Sequence, residues 1–353
     1  MKKQILYTFL LYCFFSSSYI FSQNIDESDK FKGVPKLFKS QELLQIKMTY
    51  ANKDIKLNTN DSTYIKTVLV YNNNDIWDSL AIELRSRGNF RFKNCNFTPL
   101  KLKIKKSRAK GTLFEGNKKL KMILPCLSFK SKNDKVMNEF MAYKLYELVS
   151  PYYFNTRLVS FQFTDDSGKK KKIHELMAVL IEDDKTVAKR LNGKVLERNI
   201  HPLNHEDLSS VRNAIFQFMI ANTDYSTMYQ HNEKLLFINN KIIPVPYDFD
   251  MSGLVNASYS VVSNINGEDI GISKVTQRLF RGFKRDQEIF KKVRAEFLEN
   301  KSKMLDLVKD LAPYYDEEKE HRKSLEFINE FYKVISDDKK FNSMIIDKAR
   351  EGK

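Results

Sequence analysis

Leu100-Lys101-Leu102-Lys103-Ile104-Lys105 alternates apolar and cationic side chains without a break. An extended strand puts such residues on opposite faces, so one face must meet a core and the other water or an anion. The same period of two recurs over residues 45–50, 64–71, 80–85 and 120–124, and a strand-rich fold is expected from about 40 to 125. Residues 158–163 and 176–181 read as two more strands, joined through Asp166-Ser167-Gly168 and the lysines at 169–172. Helical spacing takes over at Met137, Met141, Leu145 and Leu148, predicting a helix over 134–149 that Ser150-Pro151 ends. A second helix is expected from Asn204 as its cap, with Leu208, Val211, Ile215 and Met219 on its apolar stripe. A hairpin follows, 234–238 and 241–247 about Asn239-Asn240, and from 273 the pattern is helical. The expected class is α+β: a strand-rich part with one helix over 23–190, then a helical part over 191–353.

The 353 residues are 42% hydrophobic and 12% aromatic, which excludes a wholly disordered chain. Three cysteines exclude a disulfide-stapled miniature scaffold and a multi-zinc ribbon. The start, Met1-Lys2-Lys3-Gln4 followed by the apolar run Ile5 to Phe15 and then the serine-led segment Ser16 to Ser22, has the layout of a secretory signal peptide over residues 1–22. An uncleaved anchor is the alternative, and the bulky Leu11-Tyr12 before Cys13 argues against lipid attachment there. No later run is long enough to cross a membrane, so an exported protein is expected, periplasmic, cell-surface or secreted. In an oxidising compartment Cys95 and Cys126 are expected either as one disulfide or as two buried thiols.

Residues 85–135 hold 16 Lys and Arg against Glu115 and Asp134 alone, while the remainder of the mature chain is balanced. Such a segment attracts phosphate on a nucleotide, a nucleic acid or an anionic surface. Several of its lysines belong to a solvated strand face; the clustered arginines Arg85, Arg87 and Arg91 are less readily explained that way. Signatures of common hydrolases are missing, among them G-x-S-x-G and H-E-x-x-H, and Pro202 breaks the helical face that a His201/His205 metal pair would need.

The informative polar residues are Asn222-Thr223-Asp224, His231-Asn232 and Asp248-Phe249-Asp250. A hairpin brings its ends together, so Asn232 and Asp248 should be neighbours, with Asp224 one loop away. Phosphoryl transfer needs such a group: a carboxylate for the attacking hydroxyl and hard oxygen ligands for a divalent cation. Three polar loop residues satisfying backbone groups are the plainer reading of the same spacing.

Arg85-Ser86-Arg87-Gly88-Asn89, Asn222-Thr223-Asp224, Tyr247-Asp248-Phe249-Asp250 and the strand ending Ile181-Glu182-Asp183-Asp184, in this order, resemble the spore coat protein H (CotH) kinase family over roughly residues 80–255. The resemblance implies a bilobal protein-kinase-like fold, strand-rich then helix-rich, using ATP with Mg²⁺ or Mn²⁺ to phosphorylate an envelope or secreted protein. It implies Asp224 as the catalytic aspartate, with Asp248, Asn232 and Asp250 toward the metal. Arg85 and Arg87 then match the nucleotide pocket, and Glu182 the linker beside the adenine. The ATP-anchoring lysine is one of Lys101, Lys103 and Lys121, and Glu139 is its helical partner, although periodicity alone makes Glu139 solvated. The chain departs from the pattern in lacking a G-x-G-x-x-G loop and in ending the triplet with Asp250, which leaves a nucleotide-binding pseudokinase as a variant of this reading. A non-enzymatic protein binding anionic polymers or nucleic acid through residues 85–135 is the competing expectation; under the kinase reading nucleic acid is not the expected partner. A structural envelope protein is the third.

Overall fold

The computed structural model describes residues 33–88, 90–127, 132–263 and 270–352. The signal-like start and Asn89 of the arginine-glycine motif lie outside them. Strands β1 (Leu44–Tyr50), β2 (Ile65–Asn73), β3 (Ile76–Ser86), β4 (Leu100–Lys103) and β5 (Lys119–Ile123) follow one another as antiparallel neighbours. Helix α1 (Asp134–Glu147) comes next, then the long hairpin of β6 (Thr156–Asp165) and β7 (Lys172–Glu182). β7 pairs with β5, and β6 returns to pair in parallel with β1, Leu44 opposite Val159 and Tyr50 opposite Asp165. The seven strands thereby close into a barrel in the order β1-β2-β3-β4-β5-β7-β6.

The closure overturns the expected bilobal kinase-like fold: the strand-rich part is a closed mixed barrel, and the helices gather mostly in the C-terminal part. The reason lies in β6. Its alternation reveals a strand, but only tertiary pairing decides that its free edge is covered by a segment more than a hundred residues earlier.

Inside the barrel, alternate residues supply the core. Leu44, Ile46, Met48 and Tyr50 of β1 point inward with Leu80, Ile82 and Leu84 of β3, and Phe161 and Phe163 of β6 fill the centre. On the opposite face of the β5–β7–β6 side, Ile123, Val179, Ile181 and Leu158 join a second core with α1 and the C-terminal helices. The segment Leu176–Ile181 is therefore apolar on both faces, as a strand buried on two sides must be, while β6 alternates and carries Ser160 and Gln162 on its outer face.

Beyond the barrel, β8 (Lys194–Leu196) precedes α2 (Asp207–Met219), and β9 (Glu233–Ile238) and β10 (Lys241–Pro246) form the hairpin of a three-stranded sheet. Asn204 is not the cap of α2: it ends a 3₁₀ turn, and the Glu206 carboxylate accepts the Ser209 N–H instead. Helices α3 (Gln287–Glu299), α4 (Lys301–Asp310) and α5 (Glu318–Ile335) complete the second core. Helix α1, although inserted between barrel strands, packs into that core on nearly every side. A helix surrounded in this way buries its polar residues too, which is why Glu139 is 1% exposed and not solvated as its periodicity suggests. Cys95 and Cys126 are joined as a disulfide. Among the described residues no helix is long and apolar enough to cross a membrane.

Candidate functional site

The antiparallel register of β3, β4 and β5 sets Arg85, Lys101 and Lys121 side by side in one row on the outer wall of the barrel. Lys121 is the buried member. Its Nζ lies 4.3 Å from the centre of the Tyr247 ring and 5.0 Å from that of Phe154. Burial first, and then the Arg87 guanidinium, push its pKa down to about 8, while Asp184, Asp183 and Asp248 resist the shift. Lys101 Nζ is 3.8 Å from Asp183 Oδ2. Arg87, just past the end of β3, places Nη2 3.5 Å from Asp248 Oδ2. Of the three lysines considered, Lys121 is the one held among aromatic rings beside Asp248. Lys103 lies one row away and binds Glu83 at 2.7 Å. Arg85 likewise turns outward, to Asp61 at 2.8 Å and the Tyr64 hydroxyl at 3.2 Å.

The acidic side is built by the β9–β10 hairpin. Pro246 pairs with Glu233, and the next step brings the Tyr247 N–H to the Asn232 carbonyl at 3.0 Å, so Asn232 and Asp248 are neighbours. Both sit in left-handed backbone, φ 52° and 62°, a conformation that costs a non-glycine residue about 1 kcal/mol or more and persists only where its surroundings hold it. For Asp248 that hold includes the Tyr143 hydroxyl of α1, which accepts the Asp248 N–H at 2.9 Å. Phe249 packs against Tyr143 and Phe216 and anchors the triplet from below.

Asp224 follows the end of α2, its N–H donating to Asn222 Oδ1 at 3.0 Å. Asn232 Nδ2 donates to Asp224 Oδ2 at 3.0 Å, while His231 Nε2 and the Ser263 hydroxyl approach Oδ1 at 3.3 and 3.4 Å. The hydrogen bond to Asp224 raises the His231 pKa against the lowering effect of burial. Asn232 thus spends its amide nitrogen on orienting Asp224.

Behind this pair lies a buried layer. Arg91, on the short helix Phe90–Asn94, donates to Glu139 Oε2 at 3.2 Å and to the Leu124 carbonyl at 2.7 Å, with Nε 3.7 Å from Asp250 Oδ2. Burial pushes Glu139 up to about 8 despite Arg91, and raises Asp250 to about 6, with the negative charges of Asp248 and Asp224 adding to the effect. Burial alone would lower Arg91, but the acidic groups around it, Tyr259, Glu139 and Asp250 first, hold it above its ordinary value.

Two expected site residues therefore have other work. Asp250 is 6% exposed and faces Arg91 and the Tyr259 hydroxyl, which donates at 3.3 Å, so it stands behind the site and not open to a metal. Glu182 is fully buried, gripped by Arg190 at 3.1 Å and by the Asn155 side chain at 2.8 Å. Its carboxylate fixes the end of β7 and cannot meet a ligand. His201 and His205 form no metal pair: His201 Nδ1 accepts the Leu203 N–H and His205 Nε2 meets the Ile200 carbonyl.

Among the described residues, no three His, Cys, Asp or Glu side chains form a group that could hold a metal ion by themselves. Asp248 and Asp224 are the partly accessible carboxylates here, at 28% and 23% side-chain exposure. Sequence reasoning gave Arg91 no role beyond the arginine cluster, gave Asp183 none beyond its place in the Ile181-Glu182-Asp183-Asp184 motif, and missed Tyr143, because each acts through a partner distant along the chain. No protein-family model, no curated protein and no solved structure matches the chain.

Proposed function

We propose that the chain is an exported phosphotransferase that binds a magnesium nucleotide between Lys121 and Arg87 on the barrel wall and Asp248 and Asp224 on the facing loops. The observation that carries this reading is the approach of Arg87 to Asp248 beside a buried Lys121: cations for a triphosphate next to carboxylates for its metal. The proposal concerns the site and its chemistry; the kinase-like fold is set aside. Lys121 and Arg87 neutralise phosphate oxygens, and Tyr247 and Phe154 shield Lys121 from water. Asp248 would hold a divalent ion, Mg²⁺ or Mn²⁺, which would supply charge neutralisation on the terminal phosphates. Asp224, fixed by Asn232 and His231, accepts the hydrogen bond of the substrate hydroxyl and takes its proton as the oxygen attacks phosphorus. The bond from phosphorus to the bridging oxygen of the leaving diphosphate breaks, and its electron pair stays on that bridging oxygen. The disulfide supports the exported setting, since such bonds persist in oxidising compartments.

Calorimetric titration with ATP, with and without Mg²⁺, tests the reading. Wild type should bind in a metal-dependent manner and Asp248→Ala should lose that dependence. Equal affinity of both proteins with and without Mg²⁺ would remove Asp248 from the site.

A further inference from the structure

We infer that the barrel wall beyond Lys121 is a docking strip for an extended acidic segment of the protein substrate. This deepens the proposed phosphotransferase reading and rests on it for the acceptor hydroxyl. The row Arg85–Lys101–Lys121 is followed, two residues along the same strands, by Glu83–Lys103–Lys119. The step between rows is about 7 Å, the spacing of same-face side chains along an extended peptide. Past that row the β4–β5 connection continues the strip with Lys105, Lys106, Arg108, Lys110 and Lys118, all exposed.

The connection is a built surface. Ile104, Ala109 and Phe114 are buried in the barrel core, and the Ile104 N–H bonds the Lys118 carbonyl at 2.9 Å. Its cations therefore stand on a fixed cap. Among the described residues, none of those five or Lys119 forms an ion pair; the nearby acids Glu83 and Glu115 are taken by Lys103 and Lys36. A surface of this kind holds uncompensated positive charge beside a site that needs a protein hydroxyl brought to it.

The composition of the strip selects the partner. Lysines outnumber the single Arg108, so it offers point charges suited to carboxylates with little of the bidentate fork that favours phosphate. No large hydrophobic side chain between residues 100 and 119 is exposed, so it lacks the aromatic platform on which single-stranded nucleic acid stacks. An acidic peptide fits both facts.

The test uses the full chain and two fluorescein-labelled peptides bearing the same serine, one flanked by glutamates and one by glutamines. Anisotropy should give tighter binding of the glutamate peptide by about tenfold or more, weakening as salt rises. The triple variant Lys106→Glu, Lys110→Glu, Lys118→Glu should lose that preference while its magnesium–ATP affinity stays at the wild-type value. In turnover the variant should raise KM for the glutamate peptide with kcat retained. Equal binding of the two peptides, or unchanged binding by the variant, would overturn the docking strip. Tighter binding of heparin or of single-stranded DNA than of the glutamate peptide would overturn the choice of partner. Failure of wild type to bind magnesium–ATP while the peptide preference persists would instead sink the phosphotransferase reading and leave the strip standing.

Discussion

The inside and the outside of one barrel wall obey different rules. On the inner face of β3, β4 and β5, Leu84, Leu100, Leu102, Leu120 and Met122 are almost fully buried and carry no charge. One residue away along the same strands, the outer face carries Arg85, Lys101 and Lys121 in a single row. The inner side chains decide that a barrel forms, because each is worth about 1.5–3 kcal/mol of burial. The outer ones add little to that and cost something: Lys121 is a cation drawn out of water, kept there by aromatic rings and neighbouring carboxylates. A position that opposes burial yet sits beside Asp248 is where chemistry is to be sought.

Substitutions should separate the two faces. The largest effect is expected at the loops facing the outer wall: Asp224→Asn should lower phosphoryl transfer by about three orders of magnitude or more, with thermal unfolding close to wild type. Loss of the fold in parallel with activity would break the division. Inside, Phe161→Ala should cost about 3–5 kcal/mol in urea unfolding while the folded fraction keeps its nucleotide affinity. An affinity change there would tie the two faces together.

The Cys95–Cys126 bridge spans both faces, since its loop of 31 residues carries Lys101 and Lys121. Replacing both cysteines by serine should lower stability by about 3–4 kcal/mol. The same change should weaken nucleotide binding, because Arg91 bonds the Leu124 carbonyl two residues before Cys126 and precedes Cys95 by one turn. Undiminished binding in the folded double variant would confine the bridge to stability.

The smallest effect is a pH dependence with opposite signs. Lys121 loses its proton near pH 8 in the fold but at its ordinary 10.5 when unfolded. Between those values the unfolded chain binds more protons, so this group's contribution to stability rises with pH from about 8 to about 10.5. Nucleotide affinity should fall over the same interval, by about tenfold, as the cation is neutralised. Lys121→Met should flatten both curves; persistence of either would assign it to another group.

Much of this division was legible in the sequence, and the limits are instructive. Alternation at Leu100–Lys105 by itself separates the inner from the outer face. The hairpin about Asn239-Asn240 brought Asn232 next to Asp248, because a short turn fixes register locally. Glu139 was misread, since periodicity describes one apolar face and α1 is enclosed on nearly all sides. Glu182 was misassigned because motif position says nothing of a partner such as Arg190, which folds back from the helix after β7. The barrel itself was invisible, as strand segments do not announce which edges will meet.

That last pairing governs the order in which the protein can be made. During synthesis β1 emerges early, yet its parallel partner Ile46–Phe161 does not exist until more than a hundred further residues have been added. Until then the growing sheet has an open, hydrogen-bond-hungry margin on β1, the kind of surface that recruits other chains. Completion of the β6–β7 hairpin removes that margin, so assembly is expected to finish late and slowly, as contacts of such long range require. The polypeptide, on this view, stays unlocked until about half of it has been made.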